Sequence, residues 1–229
     1  HRQQRRERQR AAAVAAGGEM EGHGGRIRVL RLTPFYALCR SRLQPGPPAA
    51  AVTGHEGHGD HAAAADGTTP IKSSVPVRIT PALNDHAIVA EILASRARAI
   101  SLDAAREALV IVAHGPTEDE DNVRWLKDMA SLAGRLRQTE NYASLAYLTL
   151  RDAAPKPVRD AATAELRGIV QRELGAGRRV LIVPLLISFG GIERGLRERL
   201  EGLPYTMAEA ALMPDDRLAQ WVLAMADHR

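Results

Sequence analysis

Four apolar runs constrain this chain more than any single residue does. They span residues 108–113, 144–150, 179–187 and 205–212, and each is followed by a segment with helical spacing, at about 118–137, 157–174, 192–201 and 215–226. The runs are apolar throughout instead of alternating. Buried strands that alternate with helices predict an α/β protein with an open parallel sheet and helices on both faces. Local chemistry agrees. Trp125, Met129, Leu132 and Leu136 share one helical face, and Val158, Ala162, Leu166, Ile169 and Leu174 share another that Gly175 and Gly177 close. Thr117 through Glu120 matches a capping box, with Thr117 as N-cap and Glu120 reaching back.

Upstream of these runs the pattern thins. Residues 75–80 read as a short strand, and a helix at 88–99 follows the turn that holds Asp85 and His86. The segment 83–93 resembles 212–223 with one residue inserted, pairing His86 with Asp216, Ile88 with Leu218 and Leu93 with Leu223. Such an echo suggests two similar halves. Residues 108–229 then form one complete half, and 71–107 are the final strand and helix of a preceding one. Residues 1–70 read as a poorly ordered extension with an Arg/Gln tail, an Ala/Gly stretch, a short apolar piece at 27–39 and a Pro/Ala linker at 45–51.

With 229 residues there is room for one α/β domain with extensions, and aromatics at 3% make its core aliphatic. The net charge of +4 is carried by the first ten residues, which hold five arginines and one glutamate. The remainder is balanced, so no nucleic-acid face is expected. The longest apolar run, 180–192, is too short for a bilayer and contains Pro184, so no membrane partner is expected. The basic start leads into no apolar core or cleavage site, and the single cysteine, Cys39, fits a reducing compartment. A cytoplasmic location is the expectation.

Three places carry chemistry. His114 ends the first apolar run and precedes Gly115, the position where an open α/β sheet presents side chains to a crevice. An imidazole there can bind a metal or move a proton; the plain alternative is a histidine that only braces its loop. After the third run, Gly190 and Gly191 precede a helix, so their N–H groups can hold an anion, with Arg194 and Arg197 nearby. The alternative there is a tight turn, with Glu193 in a surface pair with Arg197. His86 opens a helix after the 75–80 strand, where capping competes with function. Separately, His55, His58 and His61 recur every third residue among glycines. That flexible tract reads as loose metal loading or as a solvated linker, and it cannot preorganise a catalytic geometry. A phosphate-binding module is disfavoured, because Gly115, Pro116, Thr117 and Glu118 form no Gly-rich loop.

The run from Val110 to His114 and Gly115, the acidic helix after it, and the Val180 to Gly191 stretch with its Val-Pro-Leu strand together resemble the sirohydrochlorin cobaltochelatase/ferrochelatase family, the class II tetrapyrrole chelatases. The resemblance covers about residues 75–229. It implies a chelatase-like (flavodoxin-like) fold, and insertion of Co²⁺ or Fe²⁺, with Ni²⁺ a further candidate, into a sirohydrochlorin-type tetrapyrrole on the way to cobalamin or sirohaem, with no organic cofactor. It also implies that His114 ligates the metal and accepts a pyrrole proton. Glycine N–H groups and arginines would meet the macrocycle's carboxylates. Family members are short chains that dimerise or long chains with two halves, so a missing first half implies either a homodimer that rebuilds the cleft or a cleft that is lost. The family's second histidine, after the Gly-rich turn, has no counterpart between Gly190 and Glu193. Glu193 or His86 would have to complete the metal site. Otherwise the protein is a non-catalytic metal binder or a degenerate chelatase-like partner.

Overall fold

The computed structural model describes residues 27–31 and 77–227. The histidine tract at 55–61, Cys39 and most of the expected extension lie outside the described residues. What is described falls into two units, one reaching to Leu83 and including the chain from Val222, the other Asn84–Trp221. In the first, β1 (Ile27–Arg31) pairs in parallel with β2 (Val77–Ala82), Ile27 opposite Val77.

The second unit holds α1 (Ala87–Ile100), a 3₁₀ turn (Ala104–Arg106), β3 (Glu107–Ala113), α2 (Asp119–Thr139), β4 (Ser144–Thr149), α3 (Lys156–Gly175), β5 (Arg179–Leu185), α4 (Ile192–Arg199), β6 (Thr206–Met207) and the start of α5 (Asp216–Asp227). The strand order is β4-β3-β5-β6, all parallel, so β3 is flanked on both sides by hydrogen-bonded neighbours. Every residue of β3 is buried, as a central strand covered on both faces requires. Its even-numbered side chains, Val110 and Val112, join Leu148, Ile182, Leu166, Val170 and Leu196 in one core. That core belongs to the face covered by α3 and α4. Alternation turns Leu109 and Ile111 to the opposite face, where α2 packs on β4 and α1 on β5. The expected α/β sheet with helices on both faces is the fold observed.

Two local expectations are corrected. The helix after β3 starts one residue late: Glu118 is the N-cap, and no side chain caps it. The Thr117 carbonyl is instead taken by the Arg151 guanidinium, so the capping box does not form. The strand expected at 205–212 shrinks to two residues. Ala208 donates to Ile182 and Leu212 to Leu186, so residues 182 and 184 of β5, and 186 just past it, face this edge. Position 184 is a proline with no N–H to give, and the ladder breaks there. Among the described residues, no helix is long and apolar enough to cross a membrane.

The amino end of the sheet is tied by a buried carboxylate. Glu107, 2% exposed, accepts from Ser101 Oγ at 2.5 Å, from the Leu102 N–H at 2.9 Å and from Arg179 Nη1 at 2.6 Å. Burial alone would push its carboxyl up. The hydrogen bonds from Ser101, Leu102 and Arg179 outweigh burial and hold it below its ordinary value of 4.5. Glu173 is held low in the same way by Arg178 and Ser144 against its own burial. A carboxyl lowered on folding contributes stability that is present above its unfolded value and is lost as pH falls through its folded one. The thermal midpoint therefore falls as pH drops below 4.5, and Glu107→Gln flattens that acid limb. Glu107→Ala strands the Ser101 hydroxyl and the Leu102 N–H, leaves Arg179 with only Ile100 and Thr206, and lowers stability by about 2 kcal/mol, measured by urea unfolding at neutral pH.

Candidate functional site

The site lies where the sheet changes direction. The chain leaves β3 for α2 on one face and leaves the adjacent β5 for α4 on the other. Connections that part from neighbouring strands open a crevice at their carboxyl ends, the usual ligand position in such sheets. His114 is the first residue past β3, and Ser188 to Gly191 form the turn past β5.

His114 is held there by backbone. Its carbonyl accepts the Arg151 N–H at 2.6 Å, and the Ala113 carbonyl accepts the Leu150 N–H at 2.9 Å. Gly115 then turns at φ +76°, and a Cβ on it would stand 2.5 Å from Thr149 Cβ. Only glycine fits both the left-handed backbone and that approach. Thr149 in turn donates its hydroxyl to Asn122 Oδ1 at 2.6 Å, which links the end of β4 to α2.

Arg151 braces the same loop from the other side. Its backbone sits at φ +54°, an unfavourable region for a non-glycine residue. Its guanidinium donates to the carbonyls of Pro116 and Thr117 and to Asp119 Oδ1. One side chain therefore fixes the whole segment between His114 and α2.

The next residue, Asp152, has the carboxylate nearest the imidazole among the described residues. Its Oδ2 lies 4.0 Å from His114 Nε2, with the two side chains 27% and 33% exposed. Its Oδ1 accepts a hydrogen bond from Arg199 Nη2, near the end of α4. Arg199 Nη1 is buried without a hydrogen-bond partner.

The other expected site residues have local duties. Glu193 Oε2 accepts the N–H groups of Gly191 at 2.9 Å and Gly190 at 3.1 Å. The backbone N–H of Gly191, with those of Glu193 and Gly190, holds this carboxyl below its ordinary value, which makes it a weaker base. The glycine N–H groups do meet an anion, and it is the chain's own. Arg194 is exposed beside them. His86 is the N-cap of α1: its Nδ1 accepts the Ile88 N–H at 3.2 Å, and its ring meets Trp221 edge-on at 6.3 Å. Among the described residues, no three His, Cys, Asp or Glu side chains are grouped to hold an ion, so His114, His86 and Glu193 do not form one ligand set. The structure brings His114 together with Asp152 and Arg199 instead. Asp152 had a legible signal, since it follows an apolar strand as His114 does. Arg199 had none, because its spacing on α4 reads as surface.

No family model matches the chain, and no curated protein sequence matches it. Among solved structures it is similar to SirB from Bacillus subtilis, solved with Fe³⁺, at 16% identity and a TM-score of 0.51. That match covers 67% of this chain and 57% of SirB. It is also similar to DR2241 from Deinococcus radiodurans, a multi-domain protein with structural similarity to chelatases and two additional domains, at 21% identity and a TM-score of 0.44, covering 68% of this chain and 32% of that one. The likeness to SirB is one of fold, and the α/β unit of this chain has the chelatase-like arrangement.

Gly115→Ala tests how tightly the site is built. It forces an alanine into the left-handed region and its Cβ against Thr149, a cost of about 2 kcal/mol or more. The thermal midpoint drops by at least about 4 °C in calorimetry. An unchanged midpoint would show that the turn and the Thr149 side chain can part freely.

Proposed function

We propose that this protein inserts a divalent metal ion, Co²⁺ or Fe²⁺, into a sirohydrochlorin-type tetrapyrrole, with His114 as the principal metal ligand and base. The observation that carries the reading is the position of His114. It is a partly exposed imidazole at the carboxyl end of the central strand, in a fold shared with SirB.

The chemistry fits that position. Metal insertion requires the two inner N–H protons of the macrocycle to leave as the ion enters. A neutral imidazole can ligate a divalent ion and can accept a proton. The Arg151 N–H and the Gly115 turn hold the backbone of His114, which narrows where its imidazole meets the ring. The carboxyl end of the sheet between the β3 and β5 connections is the usual place for such a fold to take a ligand. For the substrate carboxylates, Arg194 is an exposed cation beside the glycine turn. The N–H groups of Gly190 and Gly191 serve the same end only when Glu193 swings away from them. A homodimer that supplies the other wall of the cleft belongs to the same reading.

A second reading is that the protein binds a metal without inserting it. The engagement of Glu193 by its own turn favours it, since that carboxylate is then not presented as a second ligand.

The two are separated by an absorbance assay with sirohydrochlorin and Co²⁺ or Fe²⁺. Wild type metallates the ring, and His114→Ala slows it by about 100-fold or more. Co²⁺ binding without metallation by wild type would establish the second reading. Equal rates for both proteins would remove His114 from the chemistry.

A further inference from the structure

We propose that Asp152 is the second ligand of the incoming metal ion, so that the ion is held between His114 Nε2 and Asp152 Oδ2 while Arg199 positions the carboxylate through Oδ1. The proposal rests on the reading of His114 as a metal ligand and adds the partner that neither Glu193 nor His86 supplies.

Distance is the first support. Nitrogen and carboxylate ligands stand about 2.1 Å from a zinc-like divalent ion, so two of them lie about 3.0 Å apart at a right angle, about 3.4 Å apart at the tetrahedral angle and about 4.2 Å apart in line. The observed 4.0 Å is too long for a hydrogen bond and falls inside that range. Closing to the tetrahedral value takes about 0.6 Å, which a side-chain adjustment supplies.

Placement is the second. His114 follows β3 and Asp152 follows the neighbouring β4. The backbones of both ends are joined, because Arg151 donates its N–H to the His114 carbonyl. The separation of the two ligands is therefore tied to the joined ends of two neighbouring strands. Both side chains keep about a third or a quarter of their surface in water, so an ion can reach them.

Charge is the third. Arg199 takes one carboxylate oxygen and leaves the other directed to His114. A charge-assisted hydrogen bond of this kind fixes the carboxylate's orientation. The guanidinium also repels a cation bound close by. Two ligands and a nearby positive charge make a loose site. A loose site suits an ion that must leave for a macrocycle, whereas a full ligand set would retain it.

The test uses the full chain with His55, His58 and His61 replaced by alanine, so that the tract does not mask the site. Co²⁺ is titrated without tetrapyrrole and followed by its visible absorption and by calorimetry, with circular dichroism to verify folding. Asp152→Asn is expected to weaken Co²⁺ binding by about tenfold or more and to change the visible band. If Asp152→Asn binds Co²⁺ within twofold of the parent while His114→Ala loses it, Asp152 is no ligand and the reading of His114 stands. If His114→Ala also binds normally, the reading of His114 fails and this proposal with it. Should Asp152→Asn not fold, Asp152→Glu keeps the charge for Arg199 and moves the oxygen by one methylene. An altered band and weaker binding support the proposal, and an unaltered band with unaltered affinity overturns it.

Discussion

At the carboxyl edge of the sheet the backbone of Gly115 runs against the side chain of Thr149, and the site depends on that contact. Gly115 passes so close to Thr149 that no side chain fits between them. Because the turn closes there, His114 stays against the end of β4, and Arg151 and Asp152 come within reach of it. Arg151 then gathers Pro116, Thr117 and Asp119 around its guanidinium. The strained backbone at Arg151 is tolerated because its N–H and its side chain both have partners.

Helix starts and ligand sites compete for the same residues. In an open α/β sheet both lie just past the carboxyl ends of strands. A histidine or an acid placed there satisfies orphan backbone donors as readily as it meets a substrate. His86 serves as a cap with its Nδ1, and Glu193 holds the N–H groups of the turn before its own helix. Asp152 escapes that duty because α3 begins only at Lys156, beyond a turn. Its carboxylate is left to Arg199 and His114.

The architecture was legible because burial on both faces leaves a plain mark: continuous apolar runs of strand length, separated by segments of helical period. The position of His114 followed from the same pattern. What the pattern hid was tertiary. Thr117 looked like a cap, yet a guanidinium from a neighbouring strand end claims its carbonyl. The last strand looked eight residues long, yet Pro184 across the ladder withholds the donor it needs. Arg199 looked like surface, yet it reaches the connection after β4. Each depends on which strand lies beside which, and local spacing does not encode that.

The helix α4 has an unusual pair of ends. It is eight residues long, about 12 Å of rigid rod. The turn at its start holds Gly190 and Gly191 on Glu193, and Arg199 at its end holds Asp152 beside His114. A tilt of this rod cannot alter one end alone. Whatever moves the glycine turn as one body with the helix therefore moves the hold on the aspartate as well.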